Sequence, residues 1–154
     1  MKEILCKLLL IKKSVLKQLC GTLIVISILS CNDNTAYKQR LENPEIFLSS
    51  IKNLTDVIVH DIFSPPVASR IYVYPSIAAY EAMHPGYSDK YISLANQLNG
   101  LEPLTQPTNP DINYHFAAIH AFEVVSKALI LSQEKIDEYK DQVYDSLKKE
   151  GLPK

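Results

Sequence analysis

The four histidines are the residues of this 154-residue chain whose side chains could bind a metal ion or move protons. They are His60, His84, His115 and His120. His115 and His120 lie five residues apart, which on an α-helix turns their directions about 140° apart. Two zinc ligands on one helix are normally four residues apart. The spacing therefore favours histidines that serve the structure, and a metal-binding helical protein using His115 and His120 is the weaker alternative.

Two further groups of charged residues are candidates for chemistry. His60 and Asp61 are adjacent, but neighbours on a helix face different directions, so they indicate a partly exposed helix end. Arg70 and Glu81 lie in an apolar segment, where an unpaired charge is costly. They are about three helical turns apart and cannot touch each other directly. Each is therefore expected to meet another helix, as part of a structural ion pair rather than of a catalytic site.

Several classes of function find no support in the residues. The chain has no Gly-x-Ser-x-Gly nucleophile motif, and its four glycines lie too far apart to form a phosphate-binding loop. The formal net charge of -1 gives no electrostatic reason to expect nucleic acid as a partner. The residues alone predict a helical module without a visible active site.

The first thirty residues have the layout of a bacterial export signal. Residues 1–30 contain five lysines and one glutamate, a net charge of +4. An uncharged stretch of 15 residues then separates Lys17 from Asp33. A helix needs roughly 20 apolar residues to span a bilayer, so a permanent transmembrane anchor is the weaker interpretation.

The end of this stretch, Ile28-Leu29-Ser30-Cys31, resembles a bacterial lipobox, although Leu29 is bulkier than the residue usual there. The resemblance implies cleavage before Cys31, a thioether-linked diacylglycerol on its sulfur and N-acylation. Several acyl chains together give stable membrane attachment, whereas one gives only marginal binding. We therefore expect a signal peptide over residues 1–30 and a lipoprotein of the cell envelope. It would be anchored to a bacterial membrane through Cys31 and face the periplasm or the exterior.

An ordinary signal peptide, or an uncleaved anchor with Cys31 as a bystander, is the alternative. In the lipoprotein, removal of the signal leaves 124 residues, of which Cys31 is the only cysteine. Its lipid then excludes a disulfide or a thiolate metal site in the mature chain.

The elements that must position the remaining residues are helices. Residues 31–42 are polar and predict a short tether, followed by a helical domain over residues 43–154. The pattern predicts four to five helices in an all-α fold, packed as a partial bundle. The predicted spans are 43–64, 64–83 with a kink or break at Pro75, 88–99, 112–131 and 132–150.

Cap residues and apolar spacing set these spans. Asn43 is expected as an N-cap with Pro44 at the first helical position, and Ser64 and Ser132 as further caps. Periodicity predicts the inward faces, which are Phe47, Ile51, Leu54, Ile58 and Ile62 in the first helix, Ala117, Ala121, Val124, Val125 and Ala128 in the fourth, and Ile136, Tyr139, Val143 and Leu147 in the fifth. Asp145 and Lys149 are expected to pair across one turn.

Three segments carry a family resemblance: residues 54–82, residues 94–101, and the run His115-Phe-Ala-Ala-Ile-His-Ala-Phe. They resemble the N-terminal helical part of exported bacterial proteins in the vanadium-dependent haloperoxidase and type 2 phosphatidic acid phosphatase superfamily. The resemblance covers about residues 45–154. It implies an all-helical fold whose complete form binds phosphate or vanadate, with one histidine as nucleophile or vanadium ligand and another moving protons.

The superfamily's motifs are Lys-x6-Arg-Pro, Pro-Ser-Gly-His and Ser-Arg-x5-His-x3-Asp. Neither Arg40 nor Arg70 precedes a proline, and Pro75-Ser76 is followed by Ile-Ala rather than Gly-His. Ser69-Arg70 begins the third motif, but Ser76 stands where its histidine belongs. In the superfamily these motifs lie further toward the C-terminus. We therefore assign no catalytic, cofactor-binding or metal-binding residue, and expect no cofactor in this chain.

The leading hypothesis is a truncated or split member of this superfamily, anchored to a membrane and inactive alone, with a missing C-terminal half or a second copy of itself as partner. Whether the complete form is a phosphatase or a haloperoxidase, and whether this chain is an enzyme, stays open. The alternative is a non-catalytic helical lipoprotein with a binding or structural role.

Overall fold

A computed structural model of the protein describes residues 36–105, 107–109 and 111–153. The signal peptide predicted over residues 1–30 and the lipid site predicted at Cys31 lie outside these residues. Five α-helices follow one another, and the described part of the chain contains no strand, so the all-α prediction is confirmed. They are α1 (Ala36–Glu42), α2 (Pro44–His60), α3 (Pro65–Met83), α4 (Tyr114–Leu129) and α5 (Gln133–Lys149), with a short 3₁₀ helix at His84–Tyr87.

The start of α2 follows the sequence prediction. The Asn43 side-chain oxygen accepts a hydrogen bond from the Glu45 amide at 3.0 Å, and Pro44 occupies the first helical position. The end of α2 differs from the prediction, because Ile62 is 88% exposed instead of facing inward. Its φ of 56° is left-handed, and the Phe63 amide donates back to the Ile58 carbonyl at 3.2 Å. This is the C-terminal helix reversal that glycine usually makes, and it turns Ile62 out of the core.

Pro75 does not end α3, so of the predicted kink or break the break is wrong. The helix is continuous from Pro65 to Met83, and Pro75 is fully buried within it. Ser64 precedes the helix as expected, but its side chain makes no capping hydrogen bond. Burial of the proline ring in the core gives packing that offsets the lost backbone donor.

The helix predicted over residues 88–99 is absent. This segment forms turns and irregular backbone, and Asn96 has a left-handed φ of 62°. Gly100 does have a positive φ of 84°, but it closes a turn rather than a helix. The Ser93 hydroxyl and the Leu94 amide bond to α3, as described below, while the amides of Ala95, Gln97 and Leu98 make turn bonds within the segment.

The inward face predicted for α4 is wrong, whereas that of α5 is confirmed. Val124 is 51% exposed and Ala128 is also exposed. The residues that α4 buries are Ala118, Ile119, Phe122, Glu123 and Ser126. Because α4 is apolar around much of its circumference, spacing did not distinguish its faces. In α5, with charged residues on its wet side, Ile136, Val143 and Leu147 are buried and Tyr139 is half-buried.

Helix α1 replaces the described part of the predicted polar tether. Tyr37 and Leu41 are buried in the core, and Arg40 forms an ion pair with Glu150 at 2.5 Å. Arg40 also donates to the Ser146 hydroxyl. Among the described residues, the packed helices therefore include Ala36–Glu42, which precedes Asn43. Two apolar side chains in a seven-residue helix were enough to dock it, despite its polar average.

The most extensive helix packing is between α3 and α4. Their residues share one buried cluster with α2, and a second cluster joins α1, α2, α4 and α5. Phe47 contacts both clusters and meets Phe122 edge-to-face with ring centroids 5.2 Å apart. Among the described helices, none combines the length and apolar character that a bilayer crossing requires.

Candidate functional site

An apolar groove runs along the α3–α4 pair. It consists of two adjoining cavities of about 440 and 450 Å³, which share Tyr80, Met83 and His115. The first cavity lies against the α1–α2 junction, where Leu41 and Phe47 form its wall. Its volume is within the range of small-molecule sites.

The second cavity is lined by aromatic and basic side chains. His84, Tyr87 and Tyr91 surround it together with Lys90. The Tyr87 hydroxyl is 2.8 Å from His115 Nε2, and the two rings meet edge-to-face. His115 therefore anchors the 3₁₀ helix to α4 and stands at the junction of the two cavities.

Gly86 lets the 3₁₀ helix approach α4 closely. A Cβ atom at this position would lie 2.7 Å from Tyr114 Cγ, closer than carbon atoms can pack. Only a residue without a side chain fits against the Tyr114 ring here. The shape of the aromatic cavity thus depends on a glycine in that turn.

Glu81 is buried and holds the loop beside the groove. Its carboxylate accepts hydrogen bonds from the Ser93 hydroxyl and the Leu94 amide, both at 2.7 Å. Its side chain is satisfied by the loop, not by a helix or by a cation, so the predicted ion pair is wrong. Tyr80 and His84 add bonds to the carbonyls of Ile92 and Tyr91 at 2.8 and 3.1 Å. The segment that was predicted as the third helix is therefore a loop, which hydrogen bonds to Glu81 attach to α3.

Arg70 does not meet another helix either. It is exposed on α3, and the ion pairs found among the described residues do not include it. Arg40, the other arginine, is bound to Glu150 on the last helix turn. The two guanidinium groups are thus on separate helices, and one is already neutralised. The described residues do not form the cationic cradle that an oxyanion such as vanadate or phosphate requires.

The histidines do not converge. His120 Nδ1 is 2.7 Å from the Tyr144 hydroxyl of α5, while His115 bonds to Tyr87. Within residues 36–105, 107–109 and 111–153, no group of three or more His, Cys, Asp or Glu side chains could hold a metal ion. The separation of His115 from His120 agrees with the angle expected from their spacing.

Asp61 is the cap that joins two distant helix ends. It accepts bonds from the amides of Leu131 and Ser132, at 2.9 and 3.0 Å, and from the Ser132 hydroxyl. Partial burial pushes the pKa of Asp61 upward, but these hydrogen bonds outweigh it and hold the pKa below its ordinary value. His60 beside it is exposed, as predicted for a helix end. Ser132 therefore starts α5 as expected, with its hydroxyl donated to Asp61 and not to its own helix.

Glu123 is the charged residue that sequence reasoning missed. It lies in the middle of α4 with 3% of its surface exposed, and neither of its carboxyl oxygens accepts a hydrogen bond from the described residues. Burial raises the pKa of this carboxyl to about 7, although the nearby Tyr144 hydroxyl and Lys140 ammonium lower it in part. The only available signal was an acidic residue in a predominantly apolar helix.

Comparison with solved structures links this helical unit to one class of proteins. The chain is similar to a bacterial vanadium-dependent iodoperoxidase of known crystal structure, with 44% sequence identity and a TM-score of 0.66. The match covers 70% of this chain and 26% of that chain. This chain resembles the vanadium haloperoxidases in both sequence and fold. The resemblance predicted from residues 54–82, residues 94–101 and the run that begins at His115 is confirmed.

This haloperoxidase-like chain spans about a quarter of the length of the iodoperoxidase that it matches. No protein-family model matches it, and no curated protein matches it significantly. Vanadium is a property of the complete neighbour, and the residues described here do not fit a vanadate site.

Proposed function

We propose that this chain is a helical scaffold of a haloperoxidase-like protein and that by itself it turns over neither halides nor phosphomonoesters. The observation that carries the proposal is the 44% identity over only 26% of the iodoperoxidase chain. The three oxyanion motifs are absent from residues 1–154. A phosphoryl or vanadate oxyanion needs several positioned cations and donors, because each one neutralises part of its charge.

The test is an assay of the purified chain with hydrogen peroxide and iodide or bromide, and separately with a chromogenic phosphomonoester. Both are run with and without added vanadate. We expect no turnover above the protein-free background, and an unshifted vanadium-51 resonance of free vanadate. Vanadate-dependent halide oxidation by this chain would contradict the proposal.

We also propose that the chain is a lipoprotein held on a bacterial envelope membrane through Cys31. The support is the basic start, the short uncharged stretch and the cysteine that follows Ser30. Cys31→Ser should abolish lipid incorporation and release the protein from the membrane fraction, with intact mass as the readout. Cys20→Ser is the matched control, because it changes a cysteine that the processed chain would no longer contain. Unchanged membrane attachment of Cys31→Ser would argue for an uncleaved anchor.

A second candidate is a non-catalytic binding or structural lipoprotein, and the groove between α3 and α4 is the observation that favours it. The genomic sequence beyond codon 154 separates the two. A continuation that encodes Pro-Ser-Gly-His supports the scaffold of a larger enzyme, whereas unrelated sequence supports the stand-alone module.

A further inference from the structure

The scaffold and the membrane attachment proposed above do not account for the buried carboxyl of Glu123. It lies beside Tyr144 and Lys140 of α5, but neither oxygen has a donor in good hydrogen-bond geometry, the Tyr144 hydroxyl being only a weak partner. One turn further along α4, the hydroxyl of Ser126 is also fully buried and without a partner. An ionised carboxylate in such a place is strongly disfavoured, while the neutral acid is tolerated.

The ionisable groups around Glu123 come from the helices packed against it. Helix α5 contributes Tyr139, Lys140 and Tyr144. Tyr144 in turn faces Asp141 of α5 and His120 of α4. Arg40 of α1 acts on Tyr139, whose hydroxyl is 3.4 Å from the Ser50 hydroxyl of α2.

The two groups best placed to compensate a negative charge already have partners. The Lys140 ammonium is 2.9 Å from Asp137, and the Tyr144 hydroxyl is 2.7 Å from His120 Nδ1. Ionised Glu123 could attract either group only by breaking its present bond. The packed arrangement of α4 and α5 thus matches a neutral Glu123.

We propose that Glu123 is a pH-operated latch between α4 and α5, closed when the carboxyl is protonated and loosened when it ionises. Loosening would admit water or draw Tyr144 and Lys140 toward the carboxylate, at the expense of the bonds to His120 and Asp137. The helix affected is α5, which buries Ile136, Val143 and Leu147. This latch is independent of the function proposed above.

The direction of the pH effect follows from the shifted pKa of Glu123. Burial raises this pKa from the ordinary value of 4.5 to about 7. Below pH 4.5 the carboxyl is protonated in both the folded and the unfolded chain, and its contribution to stability is fully present. Between pH 4.5 and 7 only the unfolded chain releases the proton, so stability falls, and above about pH 7 the loss is complete.

The experiment compares the wild-type protein with Glu123→Gln, which keeps the shape and removes the ionisation. Unfolding by urea is measured from pH 4 to pH 8.5, together with hydrogen exchange in α5 corrected for intrinsic rates. The wild-type unfolding constant should rise by roughly two to three orders of magnitude across the window, and α5 should exchange faster at the upper end. The glutamine variant should lack this rise.

Glu138→Gln is the matched control, because Glu138 is an exposed acid on α5 and its removal should leave the pH dependence unchanged. If Glu123→Gln does not fold, carbon-13 NMR of the wild-type carboxyl gives the answer directly. A Glu123 titration midpoint near 7 supports the latch. A midpoint near 4.5, or the same pH step in the glutamine variant, would overturn it.

Discussion

At the residue scale, the buried carboxylate of Glu81 binds a segment, residues 88–99, that the apolar pattern predicted to be a helix. Glu81 receives a hydroxyl and an amide hydrogen bond from residues 12 and 13 positions further along the chain. Apolar residues three positions apart, at Ile92, Ala95 and Leu98, made residues 88–99 look helical, but the Leu94 amide bound to a carboxylate is unavailable to a helix ladder. The strength of such charge-assisted bonds explains the outcome.

Glu81→Ala should therefore release the loop around Ser93 and Leu94 while leaving the helices intact. Loss of two hydrogen bonds to a buried carboxylate should lower the free energy of unfolding by about 1–3 kcal/mol. Urea denaturation measures this cost, and hydrogen exchange should accelerate in residues 91–101. Glu102→Ala, at an exposed position of the same loop, should change neither value. Unaltered exchange in the Glu81 variant would mean that the loop is held by other contacts.

Gly86→Ala should destabilise the protein because the added methyl group meets the Tyr114 ring. The ring or the 3₁₀ helix must move, and overpacking of this kind costs about 1–3 kcal/mol. Thermal unfolding gives the magnitude, with Ser88→Ala in the same turn as the comparison. We also expect the Tyr87–His115 bond to lengthen, which would shift the His115 resonances in NMR spectra. If the two variants are equally stable, the Tyr114 ring can move aside without lowering the stability of the protein.

At the element scale, helix ends were set partly by local sequence and partly by distant partners. The Asn43–Pro44 start of α2 needs residues only two positions apart. The start of α5 depends on Asp61, which is 71 positions from Ser132. Sequence reasoning placed Ser132 correctly but could not identify Asp61 as the group that accepts from its amide.

Asp61→Ala should weaken the attachment of α5 by about 0.5–2 kcal/mol, as the loss of other helix caps does. The pKa of Asp61 is held below 3.8, so its contribution is present above pH 3.8 and disappears as the pH falls through the lowered value. The wild-type protein should therefore lose stability at acid pH more steeply than the variant. Unfolding curves between pH 2.5 and 6 measure the difference. Asp56→Ala, which changes an exposed acidic residue of α2, serves as the control. This variant should lose stability at acid pH as steeply as the wild-type protein.

At the scale of the whole molecule, the boundary of the folded unit lies earlier than polarity suggested. Helix α1 fits between the other helices because Leu41, with 3% of its surface exposed, completes a cluster that includes Leu147. The Arg40–Glu150 pair then joins the first described helix to the end of the last one. A tether would make neither contact.

Leu41→Ala should consequently cost about 2–5 kcal/mol of stability, the range for deleting a buried leucine side chain. Lys38→Ala on the exposed side of the same helix should be almost neutral. Equilibrium denaturation of the two variants tests the boundary directly. If both changes lower the free energy of unfolding by similarly small amounts, residues 36–42 behave as a tether.

The sequence by itself determined the all-α class, the start of α2 and the buried face of α5. These features follow from caps, prolines and periodicity, which act between residues within a few positions of each other. The resemblance to vanadium haloperoxidases was also available in the sequence, because whole segments carried it.

Only the tertiary structure decided which side of α4 is buried, where α1 docks and which groups satisfy Glu81 and Asp61. A helix that is apolar on several sides has no preferred face until its neighbours cover one. Which donors reach a buried carboxylate depends on the three-dimensional path of the chain, not on the number of residues between donor and acceptor. Glu123 shows the same dependence, since tertiary packing buries its carboxyl and this burial raises the pKa to about 7.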